Sequence, residues 1–326
     1  MRRFVLSTLM LLSIVAGAGI APALAQEKLS VRLDFSPWGV QAAMHLAQNR
    51  GWFKEAGLDV DIQDGRGSGN TIQLVNAGQV DVGQVQVGLV GSARAKGATI
   101  RSIATFQHRT DLCILVDRDS PMTKAADLRG KTVVVFAASP WAPFIDVYLK
   151  SGGLTRDDVK IDVVDAAALF GTYIAKRADG MMSTTGSAIP IAEASRPSKC
   201  LLASDAGIAF PSYGLVARED VIAGKAAALR KLIQIEQRAW QQLKTNPDDG
   251  VKAMMAERPD ARLDAVVLLS QIKLTLDYFD TPATQGKPIG WQAGEDWEAA
   301  LKSMQAAGVV NAGWNVTDYY TNALVE

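Results

Sequence analysis

The sequence predicts an α/β chain folded as two lobes, each built on a mainly parallel sheet, with a hinge and a cleft between them. Three observations carry that expectation. Short β-like runs alternate with helical patterns through the first two thirds of the chain, as parallel strands covered on both faces require. The alternation starts afresh after a break at Ser120-Pro121. The length of 326 residues is one at which a single core tends to divide. A plainer alternative, one doubly wound domain with a helical tail, predicts a single sheet and no cleft.

In the first unit, residues 31–35 read as a strand. Residues 40–49 follow as a helix with Val40, Met44 and Leu46-Ala47 on one face, ending at Gly51. Residues 58–62 alternate apolar and polar, the period of a strand with one buried face. A helix over 70–77 is closed by Gly78, a common C-terminal stop. A strand at 80–83, a helix at 87–96 and a strand at 100–106 complete the unit. The second unit begins near Asp119 with a helical turn over 126–131. Strands are expected at 132–136, 160–164, 180–182 and 199–203, and helices at 141–150, 166–177 and 189–194. A strand at 213–217 precedes helical stretches at 220–243, 247–256, 263–278 and 291–307. The first lobe is therefore expected to hold residues 26–118 and 212–326, and the second 119–211. The crossings would fall near 116–123 and 204–213. Two connectors between two lobes make a hinge.

The N-terminus has the layout of a secretory signal peptide: Arg2 and Arg3, an uncharged apolar run to Ile20, then Ala23-Leu24-Ala25 before Gln26. The apolar run is short for a membrane span, which needs about 20 residues. Cleavage would leave 32 basic and 34 acidic groups, and a near-neutral surface gives no electrostatic reason to bind nucleic acid or acidic lipid. Cys113 and Cys200 both sit in apolar, strand-like runs. Export permits a disulfide, but two buried free thiols are the expectation. With only His45 and His108 besides, and no ligand spacing, neither a metal nor another cofactor is expected.

Several runs together resemble a known family. Leu33-Asp34-Phe35-Ser36-Pro37-Trp38 precedes Ala47-Gln48-Asn49-Arg50-Gly51-Trp52-Phe53-Lys54-Glu55-Ala56-Gly57-Leu58-Asp59-Val60. The segment from Gly67 to Gly83 and the run Asp127-Leu128-Arg129-Gly130-Lys131-Thr132-Val133 follow in order. This succession resembles the NMT1/THI5-like periplasmic binding proteins, which include the binding components of taurine, alkanesulfonate, nitrate, thiamine-pyrimidine and riboflavin importers. The resemblance implies a type II periplasmic-binding-protein fold, and a monomer that captures a small planar or polar solute and docks transiently on an ABC permease. A heterocycle or aromatic acid is favoured over a sulfonate or nitrate. The competing reading is an enzyme of the pyrimidine-synthase branch. That branch uses a cysteine-rich segment, a histidine and a cofactor-binding lysine, and this chain has no cysteine cluster. A ligand sensor for a membrane receptor would need the same binding event as transport.

Ligands of open α/β sheets sit beyond the carboxyl ends of strands, and that rule selects the candidate residues. Asp34, Phe35 and Trp38 follow the first strand: two rings for a flat wall and a carboxylate to accept hydrogen bonds. Trp38 as a core lid and Asp34 as a helix cap are the bland alternatives. Ser68, Gly69 and Asn70 open a helix after a glycine-rich loop, where backbone N–H groups are free; Ser68 as a simple N-cap is the alternative. No Gly-Lys-Ser/Thr follows, so nucleotide hydrolysis is not supported. Gln84, Gln86 and Gln107 lie at strand ends and suit a neutral polar ligand. From the second lobe come Ser139, Trp141 (expected to face Trp38), Ser183 and Thr184, and Asp205 near the return crossing. No catalytic residue is expected.

Overall fold

The computed structural model describes residues 26–325; the expected signal peptide, residues 1–25, lies outside them. Ten strands form two five-stranded sheets. The first contains β1 (Glu27–Arg32), β2 (Leu58–Gln63), β3 (Val82–Gln86), β4 (Ile100–Thr105) and, from much later in the chain, β10 (Tyr213–Arg218). Its order is β2-β1-β3-β10-β4. The second is built from β5 (Leu112–Asp117), β6 (Thr132–Phe136), β7 (Lys160–Val164), β8 (Gly180–Thr184) and β9 (Ser198–Leu202), in the order β7-β6-β8-β5-β9. The two orders are equivalent, and the single-sheet alternative is excluded.

Four strands of each sheet run one way and one runs against them: β10 is antiparallel to β3 and β4, and β5 to β8 and β9. The sheets are thus mixed, and the reversed strands are the two that follow a crossing. The physical reason lies in the layout. A chain leaving the carboxyl end of β4 enters the facing sheet at its carboxyl edge, and so must run down it in the opposite sense. Sequence periodicity carries no information on strand direction. Because β5 belongs to the second sheet, the first crossing lies between Thr105 and Leu112, upstream of the expected 116–123. The second occupies the stretch between Leu202 and Tyr213.

The crossings are bonded to each other. Ser212 N–H donates to the Gln107 carbonyl at 2.8 Å, and Phe106 and Gln107 N–H both donate to the Tyr213 carbonyl at 2.8 and 3.0 Å. Phe210 of the second crossing stacks on Phe144 of the second lobe with centroids 4.9 Å apart.

Local boundaries differ from expectation where a polar turn interrupts a pattern. The helix expected over 220–243 is two, Glu219–Gly224 and Ala226–Thr245. The latter buries Leu229, Leu232, Ile233, Glu236, Ala239, Trp240 and Leu243 on one face, the three-and-four spacing of a core-facing stripe. Cys113 and Cys200 are disulfide-bonded, with Cα atoms 5.3 Å apart, which corrects the expectation of free thiols. They sit on the hydrogen-bonded neighbours β5 and β9, an adjacency that 87 residues of sequence separation conceals. Among the described residues no helix is long and apolar enough to cross a membrane.

Candidate functional site

The pocket between the lobes starts from the turn after β1. Extended backbone ends at Arg32, and Pro37 helps hold a turn before the short helical segment Gly39–Gln41. That turn folds Asp34 under Trp38. The Asp34 carboxylate accepts from Trp38 Nε1 at 3.1 and 3.3 Å and from Gln41 Nε2 at 2.9 Å. Only 4% of the residue is exposed. Burial pushes its pKa up to about 6, with the bonds from Gln41 and Trp38 opposing the rise. Tyr213, at the start of β10, meets the Trp38 ring edge-on at 5.3 Å. Gly67 completes this wall with φ +111°, a conformation that favours glycine. Its N–H donates to the Asp34 carbonyl at 2.6 Å.

The opposite wall comes from the second lobe. Phe136 ends β6, with Ser139 and Pro140 in the turn beyond; Ser183 and Thr184 end β8; Ser187, Leu169 and Phe170 come from adjoining helices. Thr184 Oγ caps the helix Thr185–Ala192 by accepting from Ser187 N–H at 3.4 Å. The two walls touch. Phe35 and Phe136 lie 5.5 Å apart, Gly69 N–H reaches the Ala138 carbonyl at 3.3 Å, and Gln271 Nε2 donates to the Ser187 carbonyl at 3.0 Å. The pocket itself has room for about 40 Å³, a few waters at roughly 10–15 Å³ each, and it adjoins a wider depression at Ser139. A guest lying wholly within the narrow part requires the walls to move apart.

Beneath the pocket a polar network joins both crossings. Asp111, on the first, accepts from Gln86 Nε2 at 2.9 Å and from Ser212 Oγ, on the second, at 3.1 Å. Its other carboxyl oxygen is buried without a partner. Burial pushes its pKa up to about 6 as well, against the bonds from Gln86 and Ser212.

Of the sequence-expected residues, Asp34, Phe35, Trp38, Ser68, Ser139, Ser183 and Thr184 line this pocket together. Gly69 and Asn70 face a neighbouring depression at its mouth. Gln84 and Gln86 lie within β3 and are fully buried. Gln84 donates to the Val40 carbonyl at 3.0 Å and Gln86 joins the crossing network. Gln107 is spent on the Thr275 carbonyl at 3.2 Å. Trp141 does not face Trp38. It is fully buried in the core, with Nε1 donating to the Ser183 carbonyl at 2.8 Å and its ring edge-on to Tyr148 at 5.3 Å. Asp205 is exposed and lines a separate surface depression beside Thr123 and Tyr148. Sequence reasoning did not single out Phe136, Pro140, Leu169, Phe170, Ser187 or Tyr213, and it placed Gly67 in the glycine-rich loop whose backbone can approach a ligand. The carboxyl-end rule applied to β6 points to Phe136; Tyr213 opens the reversed strand β10, and neither it nor Leu169 and Phe170 carries a local signal. Among the described residues no group of three or more His, Cys, Asp or Glu side chains is gathered as metal ligands would be.

Two α/β lobes, joined by paired crossings and closing on a lined pocket, define a periplasmic-binding-protein fold. The chain belongs to the NMT1/THI5-like family, whose model matches residues 39–250. It is 22% identical to the riboflavin-binding protein RibY of Chloroflexus aurantiacus, over 72% of this chain and 67% of that one. It is also 22% identical to a formylaminopyrimidine-binding protein of Halalkalibacterium halodurans, over 86% of each. The fold superposes on the periplasmic nitrate-binding protein NrtA from Synechocystis PCC 6803 with a TM-score of 0.69 and 14% identity, covering 91% of this chain and 87% of that one. A yeast 4-amino-5-hydroxymethyl-2-methylpyrimidine phosphate synthase, THI11, matches over 108 residues, 33% of this chain and 32% of its own length, at 28% identity.

Proposed function

We propose that this protein is the extracytoplasmic solute-binding component of an ABC importer, taking a small, planar, polar organic solute between its lobes and presenting the closed form to a membrane permease. The observation that carries this is the convergence of loops from both lobes on one pocket beside two bonded crossings. Closure around a guest then changes the outer shape that a partner reads. Phe35, Trp38, Phe136 and Phe170 supply flat apolar contact, and the hydroxyls of Ser68, Ser139, Ser183, Thr184 and Ser187 supply adaptable donors and acceptors. The relatives named for riboflavin and formylaminopyrimidine support a heterocyclic guest. Export by a cleaved segment over residues 1–25, a monomeric state, absence of nucleic-acid binding and binding without turnover belong to the same reading.

Titration calorimetry of residues 26–326 against pyrimidines, flavins, sulfonates and aromatic carboxylates is expected to find a class that binds one to one. X-ray scattering is expected to show the radius of gyration contract on binding. A panel with no binder and an unchanged radius sinks the proposal. A new absorption band on adding pyridoxal phosphate, the mark of an aldimine, would turn the argument towards the synthase branch.

A further inference from the structure

The lining of the pocket is one-sided in charge. Among the described residues its lining is Asp34 with hydroxyls, aromatic rings and aliphatic groups, and no Lys, Arg or His; the cation of the adjoining depression is Lys96. Asp34 itself has no basic side chain among its hydrogen-bond partners, which are Trp38 and Gln41. Behind it stands a second buried carboxyl, Asp111, whose partners are likewise neutral. We propose, resting on the solute-binding reading above, that the pocket selects planar solutes presenting N–H donors, neutral or cationic, and rejects sulfonates, nitrate and carboxylates.

The competing field has to be weighed. The nine-residue helix Ser68–Asn76 points its N-terminal end at the pocket through Ser68, and such an end carries about half a positive charge. One of its first N–H groups, that of Gly69, is already taken by the Ala138 carbonyl. The N–H of Ser187, in the first turn of the facing helix, is taken by Thr184 Oγ. A full negative charge on Asp34 in the same enclosure outweighs that half charge, because both act through the same low-dielectric space. The sign of the site therefore follows the protonation of Asp34.

The groups facing Asp34 are Trp38 and Gln41 from its own turn and segment, and Tyr213 from β10. Tyr213 is pushed well above the usual phenol range, by burial first and then by Asp34 and Asp111, so it stays neutral. With Asp34 titrating near pH 6, a donor solute binds the ionised carboxylate above that pH. As pH falls below it, affinity falls by up to about tenfold per unit, since one proton competes with the solute.

The test uses residues 26–326 with benzamidinium and benzoate, two solutes of one shape and opposite charge, and with cytosine and ethanesulfonate. Binding is read by calorimetry and saturation-transfer NMR. At pH 7.5, benzamidinium or cytosine is expected to bind at least about tenfold more tightly than either anion. That preference is expected to shrink as pH drops through about 6. Asp34→Asn is expected to abolish both the preference and its pH dependence. The pH series on the unaltered protein needs no variant, so misfolding of Asp34→Asn leaves the test intact. Benzoate or ethanesulfonate binding as tightly as the donors at pH 7.5 overturns the charge assignment while leaving the solute-binding reading standing. Should no probe bind, the charge of whichever panel solute does bind decides in the same way. If nothing in the panel binds, the solute-binding reading falls and this inference with it.

Discussion

Strand β4 closes one side of the first sheet and β9 the matching side of the second, each beside the strand that runs backwards. An open edge presents unpaired N–H and C=O groups to any passing strand. The two lobes protect these edges by different means. At β4 the chain's own terminal segment covers the edge: Ser102 N–H donates to the Tyr319 carbonyl and Thr321 N–H to the Ser102 carbonyl, each at 2.9 Å. Tyr319, Leu324 and Val325 are buried in the process. At β9 the edge strand is tied to its neighbour instead. The Cys113–Cys200 disulfide joins β5 to β9. Just before β9, Arg196 grips Asp117 at the end of β5 through two bonds of 2.7 and 2.9 Å. The same guanidinium lies 3.9 Å over the Tyr173 ring, a fork geometry that lysine cannot copy. Equivalent topology therefore does not imply equivalent anchoring. The first lobe depends on burial, and the second on a covalent link and a bidentate ion pair.

Each of the two anchors can be removed on its own. Deleting residues 319–326 is expected to have the largest effect. It exposes the space of three buried apolar side chains at about 1.5–3 kcal/mol each, so about 4.5–9 kcal/mol of stability should go, with β4 amides losing hydrogen-exchange protection first. Should β9 lose protection instead, the assignment of roles is wrong. Replacing Cys113 and Cys200 by Ser is expected to cost about 2–4 kcal/mol, read as a lower denaturant midpoint. Exchange should quicken in β9 while β4 is left alone.

The first lobe also carries a pH-dependent weakness. Glu236 sits in the apolar stripe of Ala226–Thr245 with neither carboxyl oxygen hydrogen-bonded, and burial pushes it up to about 8, opposed by Trp240. The unfolded chain releases that proton near pH 4.5 and the folded chain only near 8, so the folded form holds more protons between them. Stability must then fall as pH rises across that window, by a few kcal/mol at most. Glu236→Gln is expected to flatten the slope, which a series of thermal melts from pH 5 to 8.5 measures. An unchanged slope excludes Glu236 as its source.

The smallest expected effect concerns closure. A Cβ on Gly67 would lie 2.5 Å from the Ala138 carbonyl oxygen and 2.7 Å from Phe136. Gly67→Ala should therefore cost about 1–3 kcal/mol of stability, since φ +111° strains any side chain, and hold the lobes apart. Solute affinity is expected to drop about tenfold, with a larger bound-state radius of gyration. Normal affinity and radius would show that the contact is not part of closing.

Much of the architecture was legible in the chain because period and punctuation are local. The alternation at 58–62 and the strand at 132–136 reappear as β2 and β6. Seven of the pocket residues were also legible, since the rule that ligands gather at strand ends needs only the strands. Trp141 escaped because the turn after β6 rotates it inward, and a local pattern does not state which way a ring leaves a turn. Asp205 escaped because the second crossing turns away from the pocket before it returns at Ser212. Tyr213 and Phe170 face the cavity only because the lobes meet there.

Taken alone, the chain determined most of the strands and helices, though not their ends (the first strand, expected at 31–35, is Glu27–Arg32), and which strand-end loops are chemically suited to a ligand, since side-chain period and turn chemistry act over a few residues. Tertiary structure decided which strands run backwards, that two cysteines 87 residues apart are partners, and which rings and hydroxyls share one pocket. Those outcomes depend on distances between segments remote in sequence, which are set only when the sheets assemble and the lobes close.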